Sequence, residues 1–240
     1  MKTYKLHPGL EQYRINPDDY EKCRDRPAKQ EGNFGKVYFQ QHKVTKKLVV
    51  KKETNLSHDY PKMWQSFHRE LEILQKFPHP AIVPFIGFDI NPNFGFVYLK
   101  AMPLGSLSMV IQKQKSKLKK ITRKLIITYG IAAAMEYLHA NSILHRDLKP
   151  ENVLLSHNFH PKVADFGTAK SLQIISTLHF TFQETTAYIM APEYISEPLK
   201  YKETFPIDVF SYAMTLSYMW TGIQPYSRKN PISIIQEITR

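Results

Sequence analysis

The chain has 240 residues, of which 42% are hydrophobic and 22% are charged, an ordinary balance for a globular protein with a sizeable core. No stretch approaches the roughly 18 apolar residues of a transmembrane helix, and the amino terminus lacks the apolar segment of a signal peptide. The one cysteine, Cys23, excludes an internal disulfide framework and is typical of a reducing compartment. We therefore expect a cytoplasmic protein with no membrane partner.

The formal net charge of +12 raises the hypothesis of nucleic-acid binding. Much of this charge lies in one run, whose cations are Lys113, Lys115, Lys117, Lys119, Lys120, Arg123 and Lys124. No aromatic residue lies between them, which argues against a surface for stacking bases. We favour a solvated helix end and loop, with contact to acidic peptides or phosphates as the alternative, and we expect no nucleic-acid partner.

The first glycine-rich segment follows an amino-terminal stretch of uncertain periodicity. Residues 1–26 mix Pro, Asp, Arg and Tyr, and we expect a leader that ends in an edge strand and has little function. Gly32 and Gly35 then precede a strand-like run. Glycines let a backbone approach phosphate oxygens without obstruction by a side chain. A tight hairpin would show the same pattern, so the two glycines alone are weak support for a phosphate site.

A strand with two terminal lysines and an amphipathic helix come next. The strand ends in Lys51 and Lys52, which by themselves predict only solvated lysines. The helix, residues 63–77, has one apolar stripe formed by Trp64, Phe67, Leu71 and Leu74. Glu70 lies at the edge of this stripe, where a carboxylate is costly to bury unless a cation pairs with it. We therefore expect a buried cation near Glu70, whereas Glu72 points to a different face.

A hinge-like connector and a long helix are predicted in the middle of the chain. A buried strand over 95–99 runs into a Pro/Gly connector and then a helix, a pattern typical of a link between two lobes. A longer helix is predicted over 121–140. Its expected buried face consists of Leu125, Tyr129, Ala132, Met135 and Leu138.

The most informative stretch is 143–155, where two short apolar strands flank a polar loop. The loop contains His145, Arg146, Asp147, Lys149 and Asn152. A carboxylate and an amide five positions apart, on a loop shaped by Pro150, suit a reaction that needs one group near a hydroxyl and one near a metal ion. Asp-Phe-Gly follows at 165–167 and Ala-Pro-Glu at 191–193.

In this order and spacing, the motifs resemble the pattern of eukaryotic-type protein kinases from Gln30 onward. Residues 145–152 are similar to the kinase catalytic loop, and 30–37 to the kinase glycine-rich loop. Residues 79–83 and 190–193 look most like the tyrosine-kinase-like group. The resemblance implies an α+β, two-lobed fold, with a small antiparallel-sheet N-lobe and one main helix over 27–101 and a mainly helical C-lobe over 102–240.

The resemblance also implies Mg²⁺-assisted transfer of the γ-phosphate of ATP to Ser or Thr hydroxyls of protein substrates. Asp147 would orient the substrate hydroxyl and accept its proton. Lys149 would neutralise the γ-phosphate, and it marks the serine/threonine class. Asn152 and Asp165 would each hold a Mg²⁺ ion. The oligomeric state stays open.

Nucleotide binding is implied for a further set of residues. Lys51, held by Glu70, would contact the α- and β-phosphates. The other expected contacts, from the glycine loop, the adenine pocket and the hinge, are Gly32, Gly35, Val37, Val49, Leu99, Met102 and Leu154. His145 and Phe166 would stack in the core, and Thr186 would contact Asp147 and Lys149.

Regulation by phosphorylation is a further hypothesis. Arg146 precedes Asp147, and a buried guanidinium without a partner favours a phosphate. The candidate sites are Ser176, Thr177 and Thr181, which the sequence does not rank.

Departures from the kinase pattern keep other functions open. Gln30 stands where the first glycine is expected, and Thr185 stands where Gly usually precedes Thr186. Because the sequence ends at Arg240, we expect a C-lobe that lacks its last helices. These features favour, as the alternative, a pseudokinase or truncated nucleotide-binding scaffold without turnover. A small-molecule kinase is a further alternative, against which the segment ending at 191–193 argues.

Overall fold

The computed structural model describes residues 6–23, 30–32, 35–57, 60–172, 184–196, 204–227, 229 and 231–238. The chain divides into two compact units. The first contains Met1–Pro78 and Val83–Ala101, and the second contains His79–Ile82 and Met102–Arg240. The candidate phosphorylation sites Ser176, Thr177 and Thr181 lie outside the described residues.

The first unit is an antiparallel sheet with one long helix, as the sequence predicts. Its strands are β1 (Tyr20–Lys22), β2 (Gln30–Gly32), β3 (Gly35–His42), β4 (Leu48–Asn55), β5 (Phe85–Ile90) and β6 (Phe94–Lys100). They pair in the order β1-β3-β4-β6-β5, and β2 adds to β3. Helix α1 spans Tyr60–Lys76, and short 3-10 helices span Pro8–Tyr13 and Pro17–Asp19.

The apolar stripe of α1 is buried as its spacing predicts. Trp64, Phe67, Leu71 and Leu74 are all at most 9% exposed. A Cβ added to Gly95 of β6 would lie 2.7 Å from the Phe67 ring, so the glycine makes room for close helix–sheet contact. Each such large side chain contributes about 1.5–3 kcal/mol when fully buried. The stripe therefore fixes which side of α1 faces the sheet. This orientation also places Glu70 at the edge of the buried side.

The segment predicted as a leader packs on the first unit. Leu10 is 1% exposed, β1 pairs with β3, and Arg14 forms an isolated parallel bridge with Phe88 of β5. The backbone N–H of Cys23 also donates to the Phe39 carbonyl at 3.2 Å. The described residues 6–23 are thus structurally part of the sheet unit.

The second unit is mainly helical, as predicted. Its helices are α2 (Leu107–Lys113), α3 (Ile121–Ala140), α4 (Pro192–Ser196), α5 (Pro206–Thr221) and α6 (Pro231–Ile238). Its short strands are β7 (Ile143–Leu144), β8 (Val153–Leu155), β9 (Pro161–Val163) and β10 (Lys170–Ser171). The β8–β9 and β7–β10 pairs are antiparallel and flank the predicted catalytic loop.

Helix α3 buries only part of the expected face: Met135 and Leu138 are buried as predicted, but the amino-terminal half of the helix buries other residues. Leu125 is 52% exposed and Tyr129 is 78% exposed, so their predicted burial is wrong. The buried residues are Ile127, Ile131, Ala134, Met135 and Leu138. The helix is apolar on most sides, so its periodicity could not select one face. The contact with α5, where the Tyr212 hydroxyl donates to the Thr128 carbonyl at 3.1 Å, belongs to the tertiary fold.

None of the helices within the described part of the chain is long and apolar enough to cross a membrane.

Replacing Gly130 by Ala should destabilise the second unit although Ala is the better helix former. A Cβ at Gly130 would lie 2.4 Å from the Pro161 ring, which cannot rotate away. We expect a loss of about 1–3 kcal/mol in the free energy of unfolding, the range for overpacking, instead of the gain of about 1 kcal/mol that helix propensity alone would give. Urea denaturation measures this. Tyr129→Ala, at the neighbouring exposed position, is the control, and a more stable Gly130→Ala variant would contradict the prediction.

Candidate active site

The polar loop between β7 and β8 brings the three predicted catalytic residues together. Asp147, Lys149 and Asn152 are between 2% and 4% exposed. The Lys149 ammonium lies 2.9 Å from Asp147 Oδ1 and 2.8 Å from Oδ2. Asn152 Nδ2 donates to Asp147 Oδ2 at 2.9 Å and to the Asp147 carbonyl at 2.7 Å. The 3-10 turn Pro150–Asn152 folds the amide back onto the carboxylate, so the loop presents one organised group.

Burial and the nearby lysine act in opposite directions on the charge of Asp147. Burial raises the pKa of the Asp147 carboxyl, and the nearby Asp165 raises it further, whereas Lys149 and His145 lower it. Removing a carboxylate from water favours its neutral form, and a cation in contact with it favours the ionised form. Lys149 therefore offsets part of the cost of keeping a carboxylate ionised in a buried site.

Asp208, at the start of α5, binds the backbone of the loop. This role was not predicted from the sequence. Asp208 is 1% exposed and accepts hydrogen bonds from the backbone N–H groups of His145 and Arg146, both at 2.8 Å. Its Oδ2 also lies 2.9 Å from His139 Nε2. Arg146 has a φ of 67°, a conformation that costs a non-glycine residue free energy. The two hydrogen bonds to Asp208 stabilise that strained backbone.

His145 links the loop to the Asp-Phe-Gly segment. Its Nδ1 accepts the Asp147 backbone N–H at 3.3 Å, which assigns the proton to Nε2, 3.1 Å from the Ala164 carbonyl. The ring meets Phe166 edge-on, with centroids 5.2 Å apart. The Asn152 carbonyl accepts the Ala164 N–H at 2.9 Å. Backbone contacts thus tie the catalytic loop to the strand that leads to Asp165.

The predicted metal ligands are chemically suited to a hard cation. Because the Asn152 NH₂ group donates to Asp147, the amide oxygen is the atom left for a ligand. Asp165, with a φ of 67°, supplies a half-buried carboxylate in the segment next to it. Oxygen ligands of this kind match Mg²⁺, which usually takes one or two protein carboxylates and keeps several waters. In the described part of the chain, no cluster of three or more His, Cys, Asp or Glu side chains suits a metal.

In the first unit, the cation beside Glu70 is Lys52. Its ammonium lies 2.9 Å and 3.0 Å from the two carboxylate oxygens of Glu70, which is 2% exposed. The predicted Lys51–Glu70 pair is therefore wrong by one residue. The expectation of a buried cation at Glu70 is confirmed.

Lys51 lies on the opposite face of β4. Its ammonium is 3.8 Å from the centroid of the Phe96 ring and 5.7 Å from that of Tyr98. Burial lowers the pKa of Lys51, while Asp89 and Glu53 raise it. Val49 belongs to the same cluster, packed with Phe96 and Tyr98. Since side chains alternate along a strand, Val49 lies on the face of Lys51, and Val50 shares the face of Lys52. The structure therefore does not bring the predicted adenine contact Val49 together with the Lys52–Glu70 pair.

The other predicted nucleotide residues are divided between the two units. In the first, Gly32 and Gly35 are partners across the β2–β3 hairpin, Val37 pairs with Lys52, and Leu99, 6% exposed, pairs with Val50. In the second, Met102 is 5% exposed, and Leu154 forms an isolated bridge with Ser106. The side chain of Thr186 lies outside what the structure describes.

A family model described as protein kinase domain matches residues 30–240 of the chain. The chain belongs to the protein kinase family. The human serine/threonine-protein kinase TNNI3K is 35% identical over 204 residues, which cover 83% of this chain and 24% of that protein. Serine/threonine-protein kinase 12 of Arabidopsis thaliana is 36% identical over 169 residues, 69% of this chain and 36% of the relative.

A third relative is the mitogen-activated protein kinase kinase kinase A of Dictyostelium discoideum. It is 30% identical over 209 residues, 85% of this chain and 22% of that protein. The chain thus spans about a quarter of the length of several of these curated relatives. Their names are consistent with the tyrosine-kinase-like resemblance.

Two functional positions of this kinase domain escaped sequence reasoning for different reasons. Lys51 and Lys52 are adjacent in the sequence, and only the strand pairing, in which Val37 is opposite Lys52, shows which of them shares a face with Glu70. For Asp208 the signal was an acid in the first turn of a strongly apolar helix. A buried carboxylate requires hydrogen-bond donors, but the sequence alone does not indicate which groups donate to Asp208.

Exchanging each neighbouring lysine for Met should separate their roles. Lys52→Met leaves the buried Glu70 carboxylate without its cation, and we expect a loss of about 3–5 kcal/mol in the free energy of unfolding. Lys51→Met removes a cation–π contact and should cost about 1 kcal/mol or less. Urea denaturation of both variants measures the difference. Equal losses, or a larger loss for Lys51→Met, would refute the assignment of Lys52.

Asp208→Asn should lower the unfolding free energy, because it disrupts the hydrogen bonds that hold the loop backbone. An amide keeps one acceptor oxygen but turns an NH₂ group toward a backbone N–H, which leaves donors unsatisfied. We expect a loss of about 1–3 kcal/mol in unfolding free energy. Glu136→Gln, the same chemical change at an exposed site of α3, should have almost no effect. Thermal unfolding by circular dichroism compares the two, and matching midpoints would exclude the proposed role of Asp208.

Proposed function

We propose that this kinase domain catalyses Mg²⁺-dependent transfer of the γ-phosphate of ATP to Ser and Thr hydroxyls of protein substrates. The observation that carries the proposal is the buried group of Asp147, Lys149 and Asn152, joined by direct hydrogen bonds. Phosphoryl transfer requires positioning and charge stabilisation more than covalent chemistry, and this group supplies both.

Asp147 is the proton acceptor in this proposal. Its carboxylate is oriented by Asn152, and the contact with Lys149 favours the ionised form, against the burial that raises its pKa. A base held in one orientation can direct a substrate hydroxyl toward the phosphorus atom. Its raised pKa brings its basicity closer to the range in which a carboxylate accepts a proton usefully.

In this proposal, Lys149 and Lys52 supply the positive charge that contacts the phosphates of ATP. Lys149 now contacts both oxygens of Asp147, and its ammonium would also neutralise the γ-phosphate during transfer. Lys52, oriented by Glu70, takes the place proposed for Lys51 and would bind the α- and β-phosphates. The glycines of the β2–β3 hairpin, together with Val37, Leu99, Met102 and Leu154, would contact the rest of the nucleotide.

Asn152 and Asp165 would hold Mg²⁺, which supplies charge neutralisation on the phosphate oxygens when bound. The amide oxygen of Asn152 is free for this task because its NH₂ group already donates to Asp147. Asn152 therefore has two tasks at once, orienting the base and binding the cation.

The substrate class and the location rest on chemistry and on relatives. The relatives named above include two serine/threonine-protein kinases, and Lys149 follows the serine/threonine form of the loop. We propose a signalling role in the cytoplasm, for which the single Cys23 is typical, with protein substrates rather than nucleic acids.

Asp147→Asn should abolish transfer while preserving nucleotide binding. The amide has the same shape but cannot accept the hydroxyl proton, so we expect kcat to fall by a factor of about 10² to 10⁴. Transfer from radiolabelled ATP to a generic Ser/Thr protein substrate measures activity, and a thermal shift with Mg²⁺–ATP measures binding.

Controls distinguish the enzyme from a nucleotide-binding scaffold. Glu136→Gln, an acid-to-amide change at an exposed position of α3, should retain full activity. A thermal shift with Mg²⁺–ATP but no transfer by the unaltered chain would favour the scaffold. Equal transfer by the unaltered chain and Asp147→Asn would reject Asp147 as the base.

A further inference from the structure

Residues 7–15, which we call the strap, lie against helix α1. The backbone N–H of His7 donates to His68 Nε2 of α1 at 3.2 Å. Leu10, at the centre of the 3-10 helix Pro8–Tyr13, is 1% exposed, and this helix contacts both α1 and β5. An aliphatic side chain so completely buried contributes about 1.5–3 kcal/mol to holding the strap in place.

The other end of the strap is bound to β5, the edge strand of the sheet. The Ile15 N–H donates to the Phe88 carbonyl at 3.0 Å, and the Arg14 guanidinium donates to the Ile90 carbonyl at 3.4 Å. The ring of Tyr13 lies 5.6 Å from that of Phe85. The strap therefore covers an edge that would otherwise present unpaired backbone groups.

Gly87 shows how closely the strap approaches β5. A Cβ at this position would lie 2.4 Å from Ile15 Cγ2 and 2.5 Å from the Tyr13 carbonyl oxygen. The second atom belongs to the backbone and cannot move without displacing the strap. Any side chain at residue 87 is therefore incompatible with the observed contact.

The strap and Lys52 hold α1 from opposite sides. His68 contacts the strap, and Glu70 contacts Lys52. Residues two apart on an α-helix point about 200° apart around its axis. The apolar stripe with Phe67 and Leu71 fixes the helix against the sheet, so the two flanking contacts together resist rotation about the helix axis.

We propose that the strap positions the phosphate-binding lysine by holding α1 at the rotation where Glu70 reaches Lys52. Leu10 and Ile15 are positioning residues in this mechanism, because they contact neither substrate nor nucleotide. Release of the strap lets α1 turn, separates Glu70 from Lys52 and lowers turnover. The effect on turnover rests on the proposed kinase function, whereas the effect on α1 does not.

Gly87→Ala in the full chain tests the strap, with Gly9→Ala as a matched control. A Cβ at Gly9 would have only ordinary contacts, 3.5 Å from His7 Nδ1, so the same substitution inside the strap leaves it in place. Hydrogen exchange read by mass spectrometry follows the strap and α1. We expect exchange in both to rise about tenfold in Gly87→Ala and to stay unchanged in Gly9→Ala.

Turnover and its coupling to the ion pair provide the second measurement. We expect kcat to fall about tenfold in Gly87→Ala, with an unchanged KM for the protein substrate. In a Glu70→Gln background, Gly87→Ala should lower kcat no further, because both changes break the same link. A general loss of stability would instead add to the effect of Glu70→Gln.

Leu10→Ala provides an independent way to release the strap without crowding β5. The proposal is overturned if either variant accelerates exchange in the strap while α1 exchange stays unchanged, or if neither variant alters the strap. It is also overturned if α1 exchange rises but kcat is unchanged. Absence of transfer by the unaltered chain would reject the kinase function alone, since the exchange of α1 would still report on the strap.

Discussion

One buried carboxylate holds the catalytic loop in its working shape. Asp208 accepts two consecutive backbone N–H groups, from His145 and Arg146, and contacts His139. Without Asp208, these donors would be buried and unsatisfied, and the positive φ of Arg146 would lose the hydrogen bonds that stabilise it. Because Asp147 follows directly, the position of its carboxylate depends on a residue of a distant helix.

Keeping the charges of the site buried and fixed lowers the stability of the folded protein. Burying Asp147 and Lys149 costs desolvation free energy, and their mutual contact and the Asn152 amide offset only part of it. Glu70 and Lys52 repeat the same arrangement in the first unit, with 2% exposure for the acid. In both places direct contacts hold an ion pair in one geometry, the kind of arrangement that can stabilise developing charge without reorganisation.

Contacts between neighbours in sequence were the ones that could be predicted. Asp147, Lys149 and Asn152 lie within six residues and are joined through one turn, so their grouping follows from the loop itself. The stripe of α1 was also predictable, since helical spacing alone selects its buried side. Lys52 was missed because two adjacent lysines point to opposite faces of a strand, and only the pairing with β3 and β6 shows which face meets α1.

The sequence by itself determined the family, the two kinds of unit, the buried face of α1 and the membership of the catalytic loop, because each depends on local order and periodicity. Tertiary structure decided the rest. It selected the buried face of α3, which is apolar on most sides and leaves Tyr129 in solvent. It joined Asp208 to a loop 62 residues away and laid residues 7–15 on α1 and β5. Such contacts arise from the packing of distant segments, for which a single sequence carries no periodic signal.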